Sequence, residues 1–410
     1  MSAGRALAGV ITPVYLALEG FSALRLSLFV VAVALTSAVL SAVVGVAADR
    51  LGRKVFLVVF PLLTAGAGVA FAFDRDTVVL FALGALGSFG RGSGAGVGAV
   101  GPYQPAESAL VTDTVAPAVR NTAFGRLAFA SSLGALGGGL LALLVTVVRA
   151  SPAAAIGAYR PAYLATAAVS VVAGLLALGL RDPHRPSSPV PVSGQEPGMA
   201  PAPGRRAPVR PGRSHHVLQM PRRSGWLLRR LWVTNTFNGL AVGMFGPFIT
   251  YWFFIRFGAG PARIGVLFAI INALTLVSAL SAAGLARRWG LVRTVSVVRS
   301  AQALLLVPLA LSPGFAFAGV VYAVRMLVQR VGLPLRQSYV LAMADPDERA
   351  SVAALSNLPS QLAMSASPLL SGYLYDEVSL ALPFELSALL QGANAASFWL
   401  FFRRRPPADE

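Results

Sequence analysis

Apolar runs of membrane-spanning length recur along the whole chain, and they limit its fold more than any other feature. A helix needs about 20 mostly apolar residues to cross the hydrocarbon core of a bilayer. Twelve segments approach that need: 6–24, 27–48, 55–73, 77–100, 122–148, 161–180, 226–254, 262–286, 294–312, 315–341, 351–375 and 382–402. Inside a bilayer every backbone N–H and C=O must find a partner within the protein, so such runs form helices. The expected fold class is an all-α polytopic membrane protein. Charged residues make up only 12% of the chain, against about 25% in soluble domains, which excludes a water-soluble globular fold. The formal charge of +18 on so apolar a chain belongs in loops facing the cytoplasm, and no nucleic-acid partner is expected.

The first run is short, with Ala6 to Phe21 lying between Arg5 and Arg25. A signal peptide would end in a small-residue cleavage site, and Ala17-Leu-Glu-Gly20 is a poor match. The run is expected to stay as an uncleaved helix.

Composition changes sharply between Pro183 and Pro221, where ten prolines stand among Arg, Ser and Gly. Such a stretch cannot bury enough apolar surface to offset its ordering entropy. The chain therefore divides into a bundle over 1–182, a disordered cytoplasmic linker over 183–224 and a second bundle over 225–410, with six helices on each side. All three histidines, His184, His215 and His216, lie in the linker. A solvated tether is the plain reading; a regulatory metal-binding segment or a surface for anionic lipid are alternatives. The halves echo one another: Pro105, Pro117 and Arg120 recur 229 positions later as Pro334, Pro346 and Arg349. With both termini in the cytoplasm, the inner loops hold Arg50, Arg53, Lys54, Arg120, Arg287, Arg288, Arg293, Arg349 and the linker arginines, while Asp74, Asp76, Asp376 and Glu377 lie outside. That asymmetry sets the orientation independently of any motif.

The sharpest motif is Gly45-x-x-x-Asp49-Arg50-x-Gly52-Arg53-Lys54, directly after the second run. Gly45 allows close backbone approach and Gly52 permits a tight turn. Asp49 can accept hydrogen bonds from a helix N-terminus, and the arginines can pair bidentately with a carboxylate on a neighbouring helix. A weaker copy, Gly284 to Arg293, follows the eighth run. This motif resembles the signature of the major facilitator superfamily, G-x-L-A-D-R-x-G-R-R/K, with Ala47 where Leu is usual. The resemblance implies twelve helices in two six-helix bundles. It also implies that Asp49 meets the start of helix 11 near Ala350 and Ser351. Arg53 would pair with Asp113, and the set Gly45, Asp49, Arg50, Gly52, Arg53 and Asp113 would latch the bundles in the outward-open state. The second loop carries Arg287 or Arg288 in place of the acid, so the resemblance implies no equivalent latch there.

Arg91 lies within a glycine-rich part of the fourth run, and a charge placed mid-span is a functional candidate by default. It resembles the helix-4 arginine linked to proton coupling in the family's drug antiporters; bonding to helix-1 carbonyls is the structural alternative. Glu107 is the first candidate for carrying a proton, with Glu19 and Glu385 behind it. Gly125, Gly134 and Gly138 fit the antiporter spacing on the fifth run, but Gly139 stands where Pro belongs. Tyr103, Gln104, Asn235, Asn238, Asn272, Asn357 and Gln361 are polar within apolar runs, as are Arg325, Gln329, Arg336 and Gln337. Asn357 and Gln361 are four apart and share a helix face. The seven amide and phenol residues are the candidates for a solute cavity.

The function these features imply is a secondary active transporter working by alternating access and coupled to protons, exporting a small hydrophobic or amphipathic solute across the cell membrane. Uptake of a small metabolite, or a receptor or scaffold that no longer transports, are the alternatives. An enzyme would need a convergent acid–base or metal set, yet cysteine is absent and every histidine is in the linker. No cofactor and no metal are expected. The implied partners are a small-molecule substrate, protons and the lipid bilayer, and the chain is expected to act as a monomer.

Overall fold

The computed structural model describes residues 1–89, 102–115, 119–145, 157–180, 223–278, 288–345 and 348–404. Among these residues there is no strand; the chain runs as twelve helical units. The first half comprises α1 (Ser2–Leu18), α2 (Ala23–Leu51), α3 (Arg53–Phe73), α4a (Thr77–Leu86), α4b (Gln104–Thr114), α5 (Arg120–Leu141) and α6 (Arg160–Leu178). The second comprises α7a (Gly225–Phe245), α7b (Ile249–Phe257), α8 (Pro261–Ser278), α9a (Leu291–Leu304), α9b (Leu306–Ala310), α10 (Phe315–Met343), α11a (Arg349–Ser356), α11b (Leu358–Glu377) and α12 (Leu382–Phe402). Seven spans among the described residues are long and apolar enough to cross a membrane by length and composition.

Four runs expected as single helices are broken, and proline explains three of the breaks. Proline has no N–H to donate to the carbonyl four residues back. Pro247 thus interrupts the seventh unit between α7a and α7b, and Pro308 interrupts the ninth. Pro359 interrupts the eleventh, and it would otherwise have bonded to the Leu355 carbonyl. That carbonyl instead accepts the indole N–H of Trp232 at 2.9 Å. The fourth run, expected as one span over 77–100, ends as a helix at Leu86. Glycine is a weak helix former, and Gly87 follows at once. Tyr103, Gln104, Glu107 and Asp113 therefore stand at or on a separate helix, α4b.

The end of the bundle where α6 stops and α7a starts is here termed the junction end, and its opposite the distal end. A single large core draws on both halves, with Tyr15, Phe29, Phe71 and Tyr163 from the first and Trp252, Phe253, Tyr322 and Phe384 from the second. At the junction end each half keeps its own smaller core. One gathers Val44, Phe60, Tyr103 and Ala106; the other gathers Leu231, Val295, Tyr339, Phe398 and Phe402 among others. The main contacts between halves join α2 to α11b, α5 to α8, and α1 to α7b and α8. Among the described residues the halves are thus sealed together distally and have separate cores at the junction end.

Two features make the distal seal. Gly139 on α5 and Gly265 on α8 meet backbone to backbone: a methyl group added at Gly139 would lie 2.8 Å from the Gly265 carbonyl oxygen. Only glycine allows such an approach, which gives a local reason for Gly139 at the position where an antiporter proline was expected. Asp376, at the end of α11b, reaches the start of α2. Its Oδ1 accepts from the Ala23 N–H and its Oδ2 from the Leu24 N–H, both at 2.8 Å. The first N–H groups of a helix have no partner within it, so a carboxylate from the other half fills that need and complements the helix dipole.

Candidate functional site

A polar interior region lies in the second half. Arg336 on α10 donates to Asn235 Oδ1 on α7a at 2.5 Å and to Asn357 Oδ1, which stands at the break between α11a and α11b. Asn235 in turn donates to the Ser356 carbonyl. The break caused by Pro359 therefore brings a side-chain amide and a backbone carbonyl to the same network. On the neighbouring face, Asn238 Oδ1 accepts from Gln391 Nε2 at 3.5 Å and Asn394 Nδ2 at 3.4 Å on α12. Arg299 on α9a donates to Asn394 Oδ1 at 2.5 Å and lies 4.6 Å from the centre of the Phe398 ring. Arg325 lies 4.3 Å from the centre of the Phe245 ring and donates to Gln329 Oε1 at 3.5 Å. Ring faces carry negative charge density and attract cations.

Beside these groups lies a cavity of about 340 Å³, whose wall includes Asn238, Arg299, Gln329, Arg336, Asn357, Gln361 and Gln391. Of the solute-cavity candidates, Asn238, Asn357 and Gln361 line it, and Asn235 lies just behind as a support for Arg336. Asn272 is buried on α8 and stands outside its wall. Tyr103 belongs to the first half, where it and Glu107 line a separate cavity of about 620 Å³ with Leu57, Leu127 and Leu176. Arg5, which in the sequence merely flanks the first run, is buried and lies 5.5 Å from the centre of the Tyr103 ring.

The motif after α2 takes part of the expected shape. Gly52 has φ +87° and ψ 147°, a conformation essentially closed to side-chain-bearing residues, and Gly290 in the second-half echo has φ +76° and ψ 157°. Arg53 is buried at the start of α3. Gly45, Asp49 and Arg50 lie on α2, and Gln104 and Asp113 on α4b; the side chains of these five lie outside what is described, as do Arg91 and the 183–222 part of the linker. Glu19 follows the end of α1, and Glu385 stands in the first turn of α12.

Arg299, Gln391 and Asn394 are site residues that residue-by-residue scanning of the sequence misses. A signal for Arg299 exists: no Asp or Glu occurs between Ser224 and Ala344, although arginines interrupt the apolar runs there. An apolar stretch with buried cations and no carboxylates points to a function for the cations.

Two six-unit bundles, joined distally, with a polar cavity set among broken helices, define a polytopic membrane transport fold. The family model of the Major Facilitator Superfamily matches residues 1–333 and again residues 231–410, and the chain belongs to that superfamily. Solved structures agree over nearly the full length. A nucleoside transporter, NupG, is 14% identical with a TM-score of 0.69, covering 98% of this chain and 97% of its own. A bacterial homologue of the human lysosomal transporter Spinster, in an inward-facing and unoccupied conformation, is 13% identical with a TM-score of 0.69, covering 98% and 94%. A D-xylose–proton symporter is 13% identical with a TM-score of 0.65, covering 98% and 96%. At such identities the likeness is one of fold. No curated protein matches the chain.

Proposed function

We propose that this protein is a proton-coupled secondary transporter that moves a small polar solute by alternating access, and that the structure is its inward-facing state. The observation that carries the reading is the asymmetric packing: one core shared by both halves distally, and a separate core in each half at the junction end. The positive-inside distribution assigns the junction end, both termini and the linker to the cytoplasm, and the cell membrane is the site of action. The cavity wall alters the expected solute chemistry. A hydrophobic solute could not meet the N–H groups left over after the wall's internal hydrogen bonds, which is costly; a solute rich in hydrogen-bond acceptors would satisfy them. Glu107 is the group proposed to take and release the coupling proton, since it lines a cavity within the first half. Efflux is the proposed direction, supported by the Gly125, Gly134 and Gly138 spacing on α5.

Flux in proteoliposomes under an imposed pH gradient tests this. Solute should accumulate against its own gradient on the side from which protons leave in exchange. Accumulation with the proton, rather than against it, would establish uptake symport instead. Absence of flux under every gradient would leave the receptor or scaffold reading.

A further inference from the structure

Among the described residues, the interior arginines Arg299, Arg325 and Arg336 of the second half meet no carboxylate. Arg299 and Arg325 are 5% and 1% exposed, and Arg336 sits in the cavity wall beside Arg299. Their side-chain contacts are neutral: Asn394 and Phe398 for Arg299, Gln329 and Phe245 for Arg325, Asn235 and Asn357 for Arg336. The acidic residues of this half are Asp345, Asp347, Glu348, Asp376, Glu377, Glu385, Asp409 and Glu410. Asp376 is occupied at the distal seal. Glu348 Oε1 and Oε2 accept from the Arg223 and Ser224 N–H groups, and Asp345 pairs with Arg223 at 3.5 Å.

Arginine cannot shed its proton to escape burial. An ionised group held in apolar surroundings must be met by opposite charge or by water. For Arg299 and Arg336, which line the cavity, it gives access to either. Arg336 has five N–H groups, of which two serve Asn235 and Asn357, so others are available to a guest. Gln329, Gln361 and Gln391 add amide donors from three helices. Val298 and Met364 complete the wall and offer contact to a carbon skeleton. A volume of about 340 Å³ lies at the small end of the pocket range known to hold organic ligands.

We propose that this cavity is a binding site for a small organic anion, a carboxylate or a phosphate ester, held by Arg336 with Arg299 as the second cation. Guanidinium groups match carboxylate and phosphate oxygens in planar, bidentate geometry. A cationic guest would be repelled, and a neutral one would leave the charge unmet. The inference gives the solute class for the transporter reading and rests on it for its biological meaning, but binding itself can be measured separately from transport.

The test uses the full chain, purified into lipid nanodiscs. Benzoate, succinate and glucose 6-phosphate are titrated against their uncharged counterparts benzamide, succinamide and glucose, with binding followed by calorimetry. At least one anion should bind about tenfold or more tighter than its counterpart. That preference should vanish in Arg336→Gln and persist in part in Arg336→Lys, which keeps the charge but loses the planar fork. Arg299→Gln should weaken the same anion, and it decides the matter alone if Arg336→Gln does not fold. Equal binding of anion and neutral counterpart, binding by none of the three anions, or unchanged anion binding in the folded glutamine variants overturns the proposal. Anion binding without flux in proteoliposomes keeps the site and overturns the transporter reading; flux of neutral solutes alone, with no anion bound, does the reverse.

Discussion

The two halves share an architecture and differ in the charge that lines their cavities. Each runs through six helical units, and each opens its third unit after a glycine of positive φ, Gly52 before α3 and Gly290 before α9a. The first half sets a carboxylate, Glu107, in the wall of a cavity lined largely by Leu and Ala. The second sets guanidinium groups among amides in a cavity of about half the size. Backbone-level features are repeated, whereas the charges lining the two cavities differ in sign. That division suits a transporter in which one half titrates and the other holds the solute, since a carboxylate in the second cavity would compete with the solute for Arg336.

Replacing Glu107 by Gln tests this division with the largest expected effect. The variant cannot exchange a proton at that position. Uphill accumulation under a pH gradient should be abolished, while downhill exchange of solute persists. Accumulation equal to that of the unaltered chain would move the coupling proton away from the first half.

The distal seal is where the halves meet, and two variants should open it to different degrees. In Gly265→Leu, even the first carbon of the new side chain would collide with the Gly139 carbonyl oxygen. Overpacking of this kind costs about 1–3 kcal/mol, so the sealed state should lose about tenfold or more of its population. Asp376→Asn removes the charge from two hydrogen bonds to α2. Part of that site is exposed, so the loss should be smaller, about 1 kcal/mol, within the range for charges at helix termini. The chain has no cysteine, so spin labels can be placed at Leu24→Cys and Val378→Cys without background. The distance distribution between them should lengthen in both variants, and more in the first. An unchanged distribution in Gly265→Leu would mean that the seal is not held by close backbone approach.

The helical units were legible because a bilayer leaves apolar runs no other way to satisfy their backbone. The breaks within them were less so. Pro247, Pro308 and Pro359 are visible in the sequence, but proline is tolerated within some spans, as Pro61 is within α3. Whether a helix breaks depends on what can take the orphaned carbonyl, and Trp232 is more than a hundred residues from Leu355. Asn238, Asn357 and Gln361 were legible as polar residues within apolar runs, and they converge. Arg299 was not, because a single arginine in a run looks the same whether it faces headgroups or a cavity. Asp376 reads as a loop charge, and its partner on α2 lies 353 positions away. Local spacing carries no information about that contact.

The repeated glycines give the smallest expected effect and bear directly on how far the halves are equivalent. Near φ +87° with ψ 147° at Gly52, and φ +76° with ψ 157° at Gly290, a Cβ atom collides with the backbone of its own residue and its neighbours. Residues held in that region cost about 1–3 kcal/mol. Gly52→Ala and Gly290→Ala should therefore each lower the thermal unfolding midpoint, and by similar amounts if the two loops are structural equivalents. Their transport phenotypes should differ. The motif around Gly52 carries Asp49, whereas the echo has arginine instead. If Asp49 and Arg53 latch the bundles in the alternate state, displacing Gly52 misplaces both ends of that latch, and the initial rate of transport falls with stability. Gly290→Ala should then lower stability while leaving the rate of the folded fraction near that of the unaltered chain. Equal losses of rate in the two variants would show that the echo keeps a latch of its own despite its arginines.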